Sequence, residues 1–294
     1  LPDQAYNTFC MNVLEIKNLT KKYPSFLLDD ISFSVKAGHI VGFIGRNGAG
    51  KTTTIKSIIG MAKPDVGQLF FNDENVRENE KVFKNNVGIL LGAFDCYPTK
   101  TIRQVTEATK VFYDHWDENV YRGFLSDFGL DENKQVRALS SGMQVKYGLC
   151  LALSHGAKLL ILDEPTSGLD PVSRDELLDT FITLAKEQGV AILFSTHVIS
   201  DLEKCADDIV YIQKGKIIAD TDVETFEKGY VHISGPSEAC SHLASSCIFV
   251  RDRLGRFEGV CPSSRRPEPI EGAEIRPATL EEIMIAFERG DHDE

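Results

Sequence analysis

The sequence predicts an α/β fold on three observations. Short, almost purely apolar runs of strand length recur at residues 40–44, 87–91, 159–162 and 190–194. Helical stretches separate them, at residues 53–59, 101–130, 139–153 and 171–188. Near the start, Leu14 and Ile16, and then Ile31, Phe33 and Val35, alternate with polar residues. That period of two predicts half-buried antiparallel strands. Buried strands alternating with helices predict an open parallel sheet, whose ligands bind beyond the strand C-termini.

The chain has 294 residues, 42% of them apolar, enough for a main domain, a smaller one and a sizeable core. Its net charge of −12 excludes a basic nucleic-acid surface and a polybasic membrane anchor. Nine acidic and two basic residues fall between 268 and 294, which reads as a solvated acidic end. Seven cysteines are scattered without a C-x-x-C pair, as expected of reduced thiols in a cytosol. Cys240, His242 and Cys247 do not have zinc-site spacing. No apolar run approaches the roughly 18 residues that cross a bilayer. Residues 1–10 lack periodicity and read as a leader or tag ahead of Met11.

The most informative stretch begins at the strand of residues 40–44. It runs into Gly45-Arg46-Asn47-Gly48-Ala49-Gly50-Lys51-Thr52, and a helix starts at Thr53. In G-x-x-x-x-G-K-T between strand and helix, the glycines let successive N–H groups converge on an anion, and the helix start adds positive potential. Lys51 is placed for the outer phosphates and Thr52 for Mg²⁺. This stretch is expected to bind a nucleoside triphosphate. About twenty residues earlier, Tyr23-Pro24 sits in a loop, and from position alone the ring reads equally as a base-stacking aromatic or as an ordinary loop tyrosine.

Farther along, Pro64-Asp65-Val66-Gly67 predicts a turn and residues 68–71 a short strand. Phe112, Tyr113, Trp116, Tyr121, Phe124 and Phe128 stud the helical stretch 101–130; such a stripe reads as core, the alternative being a docking surface for a partner helix. Ser140-Ser141-Gly142 is an N-cap signal at the start of the next helix. The strand at 159–162 delivers Asp163 and Glu164 to its C-terminal end, a pairing that suits metal-assisted phosphate chemistry. Asp170-Pro171 starts a helix that Gly189 breaks, and the next strand ends at Ser195-Thr196-His197 on the same predicted edge. Lys214-Gly215 turns a hairpin. After Gly229 the composition changes, and Thr279 with Glu282 forms a capping box for a last amphipathic helix ending at Gly290.

Five separated elements, over about residues 12–230, resemble the ATP-binding subunits of ABC transporters. Residues 45–52 are similar to the Walker A loop, with Arg46 where proline is often found. Residues 139–143 resemble the signature motif, Asp163 and Glu164 the Walker B aspartate and catalytic glutamate, residues 167–170 the D-loop, and His197 the switch histidine. The resemblance implies a P-loop NTPase (RecA-like) core with an antiparallel β subdomain and a helical signature subdomain near residues 93–155. A small C-terminal α+β appendage of residues 231–294 would follow. It implies ATP and Mg²⁺ as ligands, with Lys51, Glu164 and His197 catalytic. Tyr23, Gly45, Arg46, Asn47, Gly48, Ala49, Gly50, Thr52, Thr53, Ser140 and Gly142 would hold nucleotide, and Thr52 and Asp163 the metal. Two departures stand out: Gly92 replaces the Q-loop glutamine, with Asp95 nearby, and Ser141 and Met143 replace the usual signature glycine and glutamine. The ending at residues 277–284 and the signature variant resemble ABC-2-type exporter ATPases. The resemblance thus implies a cytoplasmic subunit on the inner face of the membrane, bound to a membrane-spanning permease and paired with a second ATP-binding subunit. Alternatives are a non-transport ABC ATPase and a weakly hydrolysing regulatory module.

Overall fold

The computed structural model describes residues 11–92, 96–268 and 270–290. Residues 1–10 and Asp95, singled out above, lie outside the described residues. The chain divides into two compact units, one ending at Asp220 and the other starting at Thr221.

In the first unit, strand β1 (Asn12–Tyr23) pairs antiparallel with β2 (Phe26–Lys36) through a tight turn at residues 24–25. Leu14, Ile16, Leu19, Ile31, Phe33 and Val35 point into the core, as their alternation predicts. After β3 (Ile40–Ile44), β4 (Val66–Phe71) and β5 (Glu74–Asn75) complete a sheet of order β2-β1-β4-β5. The next strands are β6 (Val87–Leu91), β7 (Leu159–Asp163), β8 (Ala191–Thr196), β9 (Asp208–Gln213) and β10 (Lys216–Asp222). With β3 they form a second sheet of order β10-β9-β3-β8-β7-β6, in which β9, β3, β8, β7 and β6 run parallel. Every residue of β3, β7 and β8 is buried, the reason these strands read as apolar runs rather than alternating ones.

Register carries this fold into function. Ile44 lies opposite Thr196, Asp163 opposite Ser195, and Leu91 opposite Asp163. The C-terminal ends of four strands therefore share one edge, from which the phosphate loop, Glu164, His197 and Gly92 emerge.

Between β6 and β7 lie helices Ile102–Lys110, Glu118–Asp127 and Ser141–Ser154, with their own core of Ile102, Val105, Tyr121, Leu125, Tyr147 and Leu151. The Thr106 hydroxyl bonds both the Tyr121 and Tyr147 hydroxyls, at 3.0 and 2.9 Å, so these buried rings keep their polar ends satisfied. Of the predicted aromatic stripe, Tyr121 is core and Trp116, Phe124 and Phe128 pack half-buried against it, but Phe112 is 77% exposed because its helix ends at Lys110.

In the second unit, β11 (Tyr230–Pro236), β12 (Phe249–Arg253), β13 (Arg256–Pro262) and β14 (Glu274–Pro277) form an antiparallel sheet of order β12-β13-β11-β14. The unit begins ahead of the compositional change at Gly229 because the short helix Val223–Lys228 packs Phe226 against Tyr230 and Phe287. The predicted capping box is present: Glu282 N–H donates to Thr279 Oγ1 at 3.3 Å and Thr279 N–H to Glu282 Oε2 at 2.9 Å, starting helix Leu280–Gly290.

Two expectations are corrected here. Cys247 and Cys261 form a disulfide, so the chain's thiols are not all free; the pairing of β12 with β13 brings together cysteines 14 residues apart. The acidic end is not a solvated tail, since β14 and the terminal helix occupy most of it.

Candidate nucleotide site

The phosphate loop obeys strict backbone demands. Gly45 has φ +153°, and a Cβ there would lie 2.3 Å from the Ile212 carbonyl oxygen, so neither conformation nor space admits a side chain. Gly50 caps helix Lys51–Ile58 with no side chain over its first N–H groups, leaving them directed outward.

Side chains then converge. Lys51 is 6% exposed; its Nζ donates to the Gly45 carbonyl at 2.6 Å and lies 3.6 Å from Glu164 Oε1. Thr52 Oγ1 donates to Asp163 Oδ2 at 2.9 Å. The other oxygen of Asp163 accepts from Ser195 Oγ at 2.6 Å, and Ser195 Oγ itself accepts from the Glu164 N–H at 2.9 Å. Glu164 has φ +52°, a left-handed conformation a non-glycine residue keeps only where its surroundings fix it. Its Oε2 meets His197 Nδ1 at 2.6 Å. A carboxylate, an imidazole and an ammonium thus face one space.

That space is a cleft of ≈ 960 Å³, within the range of nucleotide-sized ligands. Of the residues singled out from sequence, Tyr23, Arg46, Asn47, Gly48, Gly50, Lys51, Thr52, Thr53, Glu164 and His197 line it. Gly45, Ala49 and Asp163 lie one layer back: Gly45 holds Lys51, Asp163 holds Thr52, and the buried Ala49 accepts the Gly215 N–H through its carbonyl. Tyr23 lines the cleft together with Pro24, Ser25 and Phe26. Ser140 and Gly142 are not among the lining residues. Ser140 instead caps its own helix, accepting the Met143 N–H at 3.3 Å.

Two positions of consequence carried no distinct sequence signal. Ser195 links the Asp163 carboxylate to the Glu164 backbone, yet appears in sequence only as the end of an apolar strand. Asp201 is fully buried and accepts from Thr166 Oγ1 at 2.6 Å, tying the turn after Glu164 to the segment after His197. At the Q-loop position, Gly92 has φ +73° and donates its N–H to the Asp163 carbonyl at 2.9 Å.

Among the described residues no group of three or more His, Cys, Asp or Glu side chains forms a metal cage. The hydroxyl–carboxylate pair of Thr52 and Asp163 nonetheless fits a hard divalent cation, which takes one or two protein oxygens and completes its shell from phosphates and water.

The parallel sheet, the glycine loop at a helix start and the paired acids at a neighbouring strand end define a P-loop NTPase. Residues 28–167 match the family model described as ABC transporter. The uncharacterized ABC transporter ATP-binding protein YhcH of Bacillus subtilis (strain 168) is 35% identical over 243 residues, 79% of this chain and 78% of that protein. The bacitracin transport ATP-binding protein BcrA of Bacillus licheniformis is 35% identical over 219 residues, 74% of this chain and 72% of that protein. A solved ATP-binding subunit of an ABC transporter superposes with TM-score 0.66 at 28% identity, covering 74% of this chain and 92% of that one. The chain belongs to the ABC transporter ATP-binding family: it is an ATP-binding, ATP-hydrolysing subunit of a transporter.

Proposed function

We propose that this subunit drives an exporter by closing, with a second ATP-binding subunit, around Mg·ATP at two composite sites, and that it sits on the cytoplasmic face of the membrane through a membrane-spanning permease. The observation that carries the composite-site reading is the placement of Ser140. The cleft is lined by Tyr23, the phosphate loop, Glu164, Ser167 and His197, whereas Ser140 and Gly142 stand outside it. Ser140 of a second chain would close over the γ-phosphate, either another copy or a similar protein.

Within one site, Tyr23 would stack on the adenine. The N–H groups of residues 45–53 and Lys51 would hold the phosphates. Thr52 and Asp163 would hold Mg²⁺, which when bound neutralises phosphate charge. Glu164 is placed to orient and polarise the attacking water, and the His197 ring at 2.6 Å fixes that carboxylate while facing the γ-phosphate side. Ser195 keeps Asp163 and Glu164 in fixed relation. Catalysis here is positioning and preset electrostatics, with no covalent intermediate on the protein.

Export is supported by the name of one relative, a Nod factor export ATP-binding protein of Burkholderia orbicola 33% identical over 70% of each chain. No helix among the described residues is long and apolar enough to cross a membrane, which supports a separate permease. A weakly hydrolysing regulatory role is a second reading, favoured by the missing side chain at Gly92. Steady-state ATPase of the purified chain, alone and with the permease in lipid, decides between them. Turnover stimulated by the permease is expected; turnover that stays at the level of a Lys51→Ala variant in both settings would reject the driving role.

A further inference from the structure

The C-terminal unit contains a second polar cavity of ≈ 290 Å³, made wholly within residues 221–290. It opens on one face of the four-stranded sheet, where cross-strand register aligns His232 with Val260 and Arg276, and Glu258 with Arg251. The opposite face carries Val231, Ile233, Phe257 and Cys261, the unit's apolar core.

Not all of the cavity's charge is consumed internally. Arg276 forms a two-pronged pair with Glu282, at 2.9 and 2.5 Å. Arg251, in contrast, spends its Nε and one Nη on a single oxygen, Glu258 Oε2. That leaves Arg251 Nη1 and Glu258 Oε1 without a hydrogen bond among the described residues. Arg289, at the rim, has no ion-pair partner among them. His232 Nδ1 is buried and meets no hydrogen-bond partner among the described residues. Burial draws the His232 pKa down, so near pH 7 the ring is neutral and offers one donor and one acceptor. Phe249, Val260 and Ile285 supply an apolar wall.

Free guanidinium donors, a free carboxylate oxygen and an apolar wall in so small a space select a molecule with both charges. We propose that this cavity is a binding site for a small zwitterion of the α-amino-acid class. Its carboxylate meets Arg289 and Arg251, its ammonium meets Glu258, and a short apolar side chain rests against Phe249 and Val260. Guanidinium–carboxylate bonding is strong because it is charge-assisted on both sides.

The test uses the full chain and calorimetric titration with each of the twenty L-amino acids. Acetate, methylamine and inorganic phosphate serve as single-charge probes. At least one amino acid is expected to bind with Kd of about 1 mM or tighter, and each single-charge probe at least about tenfold more weakly. Arg289→Gln and Glu258→Gln should each weaken that amino acid at least about tenfold while leaving ATP affinity unchanged. No binding by any of the twenty up to about 10 mM would overturn the proposal. So would phosphate binding as tightly as the best amino acid, or affinity that survives both variants.

Discussion

Glu164→Gln separates the two roles we propose for one carboxylate. Glu164 Oε1 lies 3.6 Å from Lys51 Nζ, an attraction of about 1 kcal/mol in a water-like medium and about 4 kcal/mol at the dielectric of a protein surface. That attraction competes with the triphosphate for Lys51. The same carboxylate is the group available to polarise water, fixed by His197 Nδ1 at 2.6 Å and by its own N–H on Ser195. Glutamine keeps the shape and an acceptor oxygen but loses the charge. ATP affinity should therefore hold or rise, while kcat falls by about a hundredfold or more, roughly 2.7 kcal/mol or more at the barrier. Phosphate release at saturating ATP measures the second effect, and equilibrium titration with a fluorescent ATP analogue the first. A kcat within about threefold of wild type, or an ATP Kd raised about tenfold, would refute the assignment.

Other outcomes follow from individual contacts. Gly45→Ala should abolish ATP binding, since its Cβ meets the Ile212 carbonyl at 2.3 Å; equilibrium nucleotide titration checks this. Ser195→Ala removes one bond to Asp163 and one to Glu164, and should lower kcat about tenfold with little change in fold, measured by turnover and circular dichroism. Asp201→Ala leaves Thr166 Oγ1 buried without its acceptor and should destabilise the first unit by about 1–3 kcal/mol in urea denaturation. In the second unit, burial pushes the Glu282 carboxyl up, but Arg276 and the Thr279 N–H outweigh it and hold the pKa at about 2. Being depressed, it contributes stability above its ordinary pKa of 4.5, lost as pH falls toward about 2. Hydrogen exchange over residues 274–290 should rise across that window, and Glu282→Gln should flatten the response.

What the chain made legible was whatever depends on short stretches. The buried strands, the phosphate loop and the capped helices at Asp170 and Thr279 each carry their determinants within a few residues, and each stands where its pattern predicts. Alternation around Leu14 and Ile31 even revealed the core face of the first sheet. What depends on register was hidden. Ser195 gains its role because β8 sets it opposite Asp163, and Cys247 finds Cys261 because β12 pairs with β13. Phe112 shares the aromatic spacing of its neighbours, yet its helix stops two residues earlier and leaves it exposed. Asp201 looks in sequence like one more acid on a short helix; only the fold shows it buried against Thr166.

Complementation between two inactive variants tests the composite site most directly. Lys51→Ala disables a chain's own phosphate grip and Ser140→Ala the contribution it makes to its neighbour, so mixing the two builds hybrids with one intact site. Where copies of this chain pair, the mixture is expected to hydrolyse ATP as neither variant does alone; a mixture that cross-links as a dimer yet is no more active than the average of its parts would contradict the composite site.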